Sequence, residues 1–215
     1  MKLIAEHHLL EGMKVITEGK GKRMYITGPF LQAEKINRNN RRYSQNIMDV
    51  AVENYKKDYI DKKRSLGELN HPAEPTVNPE RAAILTESLE KDGIYYKGKA
   101  KILSTPCGKI VESLVDDGVT IGVSSRGLGS LKPTREGYNE VQSDFVLTTA
   151  ADIVFDPSAQ SSFVEGVYEQ AEWIFESGLF VQKDLHQARK ELLMAEKNNL
   201  NEVKLKLFNK FLRDL

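Results

Sequence analysis

One cysteine in 215 residues, Cys107, excludes a disulfide framework and suits a reducing compartment. It sits in Thr105-Pro106-Cys107-Gly108, a turn signal with no Cys or His partner nearby, and reads as incidental. An excess of either charge is also missing: 31 Lys and Arg balance 31 Asp and Glu. Composition therefore gives no push toward nucleic acid or an anionic membrane. No apolar run approaches the ~20 residues that span a bilayer. The opening MKLIAEHHLLEG turns acidic too early for a signal peptide. A soluble, cytoplasmic protein is expected. P-loop, GxGxxG and CxxC patterns are absent, so no cofactor is implied. G-x-S-x-G and the α/β alternation that accompanies it are absent too, which weighs against a small-ester hydrolase. Histidine is scarce, with four in the chain.

What is present is 40% hydrophobic residues, enough for one good core. Residues 1–22 form a short amphipathic lead-in that ends in Gly-Lys-Gly-Lys. From Arg23, MYITGPFLQAE reads as a strand with a Gly-Pro interruption. NRNNRRYS (37–44) is polar and turn-like. Ser44 can then cap a helix from Gln45 to Asp61, with Ile47, Val50, Ala51, Asn54 and Tyr55 on one face. Two alternating runs flank Lys91-Asp92-Gly93, a hairpin signal. A short helix fits 107–117. The stretch 137–159 reads as two further β-rich runs ending at Asp156-Pro157. Beyond Ser161 strand signals give way to a helical spacing through Leu200, Val203, Leu207, Phe208, Phe211 and Leu215. The expectation is an α+β fold with a small-barrel core at 23–160 and a helical tail at 161–215.

The chemistry on offer centres on Gly122-Val123-Ser124-Ser125-Arg126-Gly127. Bracketing glycines suggest a sharp turn after a buried strand, with successive N–H groups able to hold an oxyanion. A serine nucleophile needs a base, and histidine titrates near neutrality. His7 and His8 lie in the lead-in and His186 in the tail. That leaves His71, in Ser65–Thr76, as base for Ser124 or Ser125. A third group should orient the imidazole. Asp144, Asp152, Asp156 and Glu68 are candidates. Each is ordinarily a solvated charge, and Asp152 fits that description least. It lies in Ala150-Ala151-Asp152-Ile153-Val154-Phe155, where an unpaired charge is costly to bury.

Metal binding is the competing chemistry. His7-His8 with Glu6 or Glu11 could approach a zinc ion, but no second pair stands at ligand spacing, so no metal is assigned. NRNNRRYS could touch RNA, yet the neutral total and the lack of further basic clusters favour a solvated turn.

Three stretches together, NRNNRRYS, LGELNHP and GVSSRGLGS, in this order and spacing, resemble the prohead core proteases of large contractile-tailed bacteriophages. The resemblance runs on through DIVFDPSA and covers about residues 25–160. It implies a serine endopeptidase of the assemblin-like type, with a compact β-barrel core and surrounding helices. Matched motif by motif, the family histidine falls on His71 and the nucleophile on Ser124. The herpesvirus relatives use a second histidine as third member; the matching strand here has none, and Asp152 is the substitute. Arg126 and Gly127, with Ser125 beside them, become oxyanion-stabilising or supporting residues.

The resemblance also implies a zymogen inside an immature capsid, the prohead, in the host cytoplasm. Its substrates would be scaffold or core proteins, the major capsid protein and itself, with no nucleic acid or membrane partner; homo-oligomer formation is compatible with it. Such enzymes cut after glutamate preceded, two residues earlier, by an aliphatic residue. That pattern ends at Glu6, Glu18, Glu176 and Glu196, and also at Glu87 within the core. Cleavage after Glu18 and within 161–200 would remove both extensions. The rival reading is a non-enzymatic scaffold or capsid-interaction module that uses the helical tail.

Overall fold

The computed structural model describes residues 2–8, 14–18, 23–72, 74–154, 173–176, 179–182 and 204–206. The chain divides into two compact units, residues 1–170 and 171–215.

In the first unit, β2 (Lys14–Glu18), β3 (Arg23–Gln32), β7 (Tyr95–Ile102), β6 (Ala82–Asp92) and β5 (Leu66–Glu68) form a five-stranded antiparallel sheet in that order. The β6–β7 hairpin turns at Gly93 and Ile94, with Gly93 at φ +62°, a conformation open to glycine at little cost. Asp92 is thus the last strand residue rather than part of the turn. A second sheet has the order β1 (Lys2–His8), β8 (Gly122–Gly129), β11 (Val146–Val154), again antiparallel. The short β4 (Arg41–Arg42), β10 (Asn139–Val141) and β9 (Leu131–Pro133) form a third. A parallel bridge between Leu69 and Ile153 joins the first two sheets at the β5 and β11 edges. Among the described residues β1 and β2 share no ladder, so these strands do not close into the expected ring.

Helix α1 (Gln45–Tyr55) ends in a π-helical turn, Lys56–Ile60. Ser44 occupies the cap position but makes no side-chain cap bond. The Glu34 carboxylate takes that part, accepting from the Gln45 amide at 2.5 Å while Arg42 holds its other oxygen at 2.6 Å. The buried face is Met48, Ala51, Val52 and Tyr55, spaced three and four apart. Of the expected face, Ala51 and Tyr55 are buried and Ile47 packs against the core, whereas Val50 is 54% exposed and Asn54 is exposed; Met48 and Val52 complete the buried side instead. Helix α2 (Pro106–Asp116) lies where a short helix was expected over 107–117, and the stretch read as a turn signal is its start: Thr105 accepts from the Gly108 amide at 3.2 Å, and proline sits in the first turn.

The expected turn at the paired serines is instead a continuous strand. All eight residues of β8 are buried, with β1 on one side and β11 on the other. Gly127 serves packing here, because a Cβ would lie 2.4 Å from the Phe145 ring.

In the second unit, β12 (Trp173–Glu176) and β13 (Leu179–Gln182) form an antiparallel hairpin. This corrects the all-helical expectation for the tail. Trp-Ile-Phe-Glu and Leu-Phe-Val-Gln are β-favouring runs around a Ser-Gly pair, a hairpin signal in its own right. Residues 204–206 are helical.

Candidate active site

The site is assembled where β5 meets β11. Gly67 makes that approach: a Cβ there would stand 1.9 Å from the Ala151 carbonyl oxygen. With the strands this close, the Glu68 amide donates to Asp152 Oδ1 at 2.8 Å and the Asn70 amide to the Ile153 carbonyl at 2.9 Å. Asn70 then takes φ +65°, the left-handed region that asparagine tolerates better than most residues. The chain bends back, and His71 Nδ1 meets Asp152 Oδ2 at 3.1 Å. The asparagine before the histidine therefore has a geometric task.

Arg126 grips the same carboxylate from β8. Its Nε donates to Oδ2 at 2.7 Å and Nη2 to Oδ1 at 3.0 Å. The guanidinium also reaches Glu68 Oε1 at 3.4 Å and the Glu74 carbonyl. Arg126, Asp152 and Glu68 are fully buried. Burial is the largest influence on Asp152 and opposes its ionisation. The Arg126 charge and the His71 contact together outweigh it, and the carboxyl titrates below its ordinary value. The Arg126 guanidinium is thus spent on carboxylates.

Ser124 lies directly opposite Asp152 on the β8–β11 ladder and two residues from Arg126, so all three belong to one face of the sheet. Ser125 belongs to the other face. Ser124 Oγ is buried and donates to the backbone carbonyl of Glu6, on β1, at 2.9 Å. The Glu6 side chain is itself buried. Tyr43 Oη donates to its Oε1 at 2.7 Å, Asn39 Nδ2 to Oε2 at 2.7 Å, and Arg41 Nη1 to Oε1 at 3.4 Å. Burial above all, and then the Glu6 charge, push the Tyr43 hydroxyl well above its ordinary value, so it stays a neutral donor.

The structure thus brings His71, Asp152, Arg126 and Glu68 into one network and stands Ser124 on the strand beside it. The other expected carboxylates fall elsewhere. Asp144 accepts from the Ser130 amide and hydroxyl at an exposed turn. Glu18 ends β2 in an ion pair with Lys99 at 2.7 Å, Glu87 lies within β6, and Glu176 ends β12. Asp156, Glu196 and His186 lie outside the described residues. His7 and His8 are strand residues of β1, and no group of metal-ligating side chains converges among the described residues. What the sequence reading missed is Asn39, Arg41 and Tyr43. They lie in the stretch read as a solvated turn, yet Arg41 is only 4% exposed. An asparagine-rich basic run beside an aromatic was the available signal.

The family of prohead core protein serine proteases matches residues 2–172. The prohead core protein protease of Enterobacteria phage T4 is 38% identical over 165 residues, covering 73% of this chain and 77% of that protein. The solved structure of the bacteriophage T4 capsid assembly protease is similar with a TM-score of 0.68 at 37% identity, covering 73% of this chain and 98% of the other. With its α+β fold in common with that structure, the chain belongs to the family of prohead core protein serine proteases and is a serine-type protease of phage head assembly.

Proposed function

We propose that Ser124, His71 and Asp152 are the catalytic group of this endopeptidase. The observation that carries the reading is one carboxylate, Asp152, that binds the imidazole of His71 and stands across the ladder from Ser124. Ionised Asp152 accepts the Nδ1–H of His71, which makes Nε2 the basic nitrogen. The imidazole removes the hydroxyl proton of Ser124 as Oγ adds to the substrate carbonyl carbon. It returns the proton to the leaving amine, and water then hydrolyses the acyl-enzyme. Arg126 acts through Asp152 as a positioning residue, because its side chain is engaged there. Oxyanion stabilisation falls to backbone N–H groups around Ser125, Arg126 and Gly127.

The substrates in this reading are scaffold or core proteins and the major capsid protein, cut after Glu in an aliphatic-x-Glu context within the prohead, in the host cytoplasm. The similarity to the T4 proteases supports this assignment. Self-cleavage after Glu6 or Glu18 would remove residues 1–6 or 1–18, and self-cleavage after Glu176 or Glu196 would remove part of 161–215, on maturation. Co-expression of the wild type or Ser124→Ala with a scaffold protein tests the reading on one gel. The scaffold protein should be cut only by the wild type. Equal cutting by Ser124→Ala would remove Ser124 from the mechanism.

A further inference from the structure

Arg126 sets the catalytic group an electrostatic difficulty. The imidazole of His71 gains a positive charge when Nε2 takes the Ser124 proton, and Asp152 is the carboxylate placed to meet that charge. Yet Arg126 already holds both oxygens of Asp152, at 2.7 and 3.0 Å. We propose that Glu68 is a further positioning residue of the reaction: its buried carboxylate supplies the negative charge that Arg126 neutralises on Asp152, and it pins the far end of the loop that carries His71. The proposal deepens the reading of Ser124, His71 and Asp152 as the catalytic group and rests on it.

The balance of buried charge is the first observation. Arg126, Asp152 and Glu68 have fully buried side chains, and Arg126 is in contact with both carboxylates. A guanidinium with one carboxylate would leave the imidazolium no net charge to meet. The second carboxylate leaves one negative charge in excess, which favours the protonated ring. That excess is local. Glu74, Glu80, Arg81 and the charged residues of β6 are exposed, and the Glu6 carboxylate on β1 has its own cation in Arg41. The second observation is how loosely Glu68 is matched. Its Oε1 lies 3.4 Å from Arg126 Nη2, farther than either Asp152 oxygen from its donor, and its buried Oε2 makes no hydrogen bond among the described residues. A carboxylate buried with so little compensation weakens a fold, so stability does not explain its presence there.

The third observation is the path of the loop. After His71 the chain passes Arg126, whose Nη1 donates to the Glu74 carbonyl, and it ends at Asn78, whose amide donates to Glu68 Oε1 at 2.6 Å. Glu68 thus stands at both roots of the loop. Its own amide donates to Asp152 Oδ1 at 2.8 Å where the loop begins, and its carboxylate accepts where the loop ends. The β5–β6 ladder is irregular between Gly67 and Glu68, and a bulge of that kind re-aims a side chain. No bond is made or broken at Glu68. It acts through His71: the more firmly the imidazolium is stabilised, the lower the barrier to removing the proton from Ser124 Oγ.

The test uses full-length chains: wild type, Glu68→Gln, Glu68→Asp and His71→Ala. Each is assayed for kcat and KM across the neutral pH range on a peptide carrying an aliphatic-x-Glu site. Glu68→Gln keeps an oxygen for the Asn78 amide and removes the charge. Its kcat should fall about 10- to 100-fold, the usual effect of one nearby charge on a proton transfer. Its KM should stay within about twofold of the wild type, because the loss lies in the chemical step. The acid limb of its kcat/KM profile should move to lower pH, since an imidazolium deprived of a negative neighbour releases its proton more readily. Glu68→Asp keeps the charge and shortens the reach to Asn78, so its acid limb should stay at the wild-type position. It carries the test if circular dichroism shows that Glu68→Gln does not fold. A wild-type kcat or an unmoved acid limb in Glu68→Gln would overturn the proposal, as would a limb displaced to lower pH in Glu68→Asp. Full cutting by His71→Ala would instead sink the reading of the catalytic group, and this proposal with it.

Discussion

Ser124 and Asp152 face each other across neighbouring antiparallel strands, and each is tied to a different part of the chain. Asp152 is bonded to His71 and Arg126, Ser124 to the backbone of Glu6. One ladder rung thus separates the polar network that orients a base from the hydroxyl and the peptide carbonyl it touches. Because residues opposite each other in such a ladder stand about 5 Å apart, no loop movement is needed to keep these groups together.

Ser124→Ala should lower peptide-cutting rates by about three to six powers of ten, as removing a nucleophile does. It should cost only about 1 kcal/mol of stability, the net worth of one hydrogen bond. Ser125→Ala, on the other face, should reduce rates far less. Initial rates on a peptide carrying an aliphatic-x-Glu site, with urea unfolding of both variants, decide between them. The reverse order of rates would move the nucleophile to Ser125.

Arg126→Met should be among the most damaging single changes in the protein. It leaves Asp152 and Glu68 as buried carboxylates with their cation gone. Removing one partner of a buried ion pair typically costs about 3–5 kcal/mol. Urea unfolding at neutral pH measures the loss. A cost below about 1 kcal/mol would mean that water or another cation replaces the guanidinium.

Acid should unfold the protein through the same cluster. Asp152 titrates below its ordinary value when folded, so between the two values the unfolded chain binds more protons than the native one. Its contribution is complete above the unfolded value, about 4, and is lost as pH falls through the lowered folded value. Unfolding free energy measured from pH 6 to pH 2 should fall below about pH 4 in the wild type. The slope should be shallower in Asp152→Asn, which lacks that proton-linked step. Identical slopes would assign the acid limb to other carboxylates.

Much of this was legible in the residues because chemistry constrains composition. A charged Asp152 amid Ala150, Ala151, Ile153 and Val154 had to find a partner, and the hairpin at Gly93 announced itself through local turn chemistry. The α1 face was misjudged at Val50, which is as apolar as Met48, because only the neighbours of the helix decide which side is covered. Ser124 was expected in a turn because glycine carries two meanings. Gly127 is there to admit the Phe145 ring rather than to bend the chain. The donors that surround the Glu6 carboxylate were invisible for a further reason. They are more than thirty residues from Glu6 in sequence, and that separation has no periodicity to read.

The placement of His71 should depend on the backbone at two positions, Gly67 and Asn70. At Gly67 an added methyl would meet the Ala151 carbonyl oxygen at 1.9 Å, well inside contact distance, so Gly67→Ala must push β5 off β11. That displacement breaks the Glu68 amide bond to Asp152 and the Asn70 amide bond to Ile153, and it moves the imbedded turn with them. At Asn70, φ +65° is open to glycine and strained for a β-branched residue. Asn70→Gly should therefore keep most activity, and Asn70→Val should lose it while the hydrophobic core stays folded. Circular dichroism and kcat/KM on a peptide with an aliphatic-x-Glu site separate the two effects. If Asn70→Val were as active as Asn70→Gly, the left-handed turn would not be what delivers His71 to Asp152.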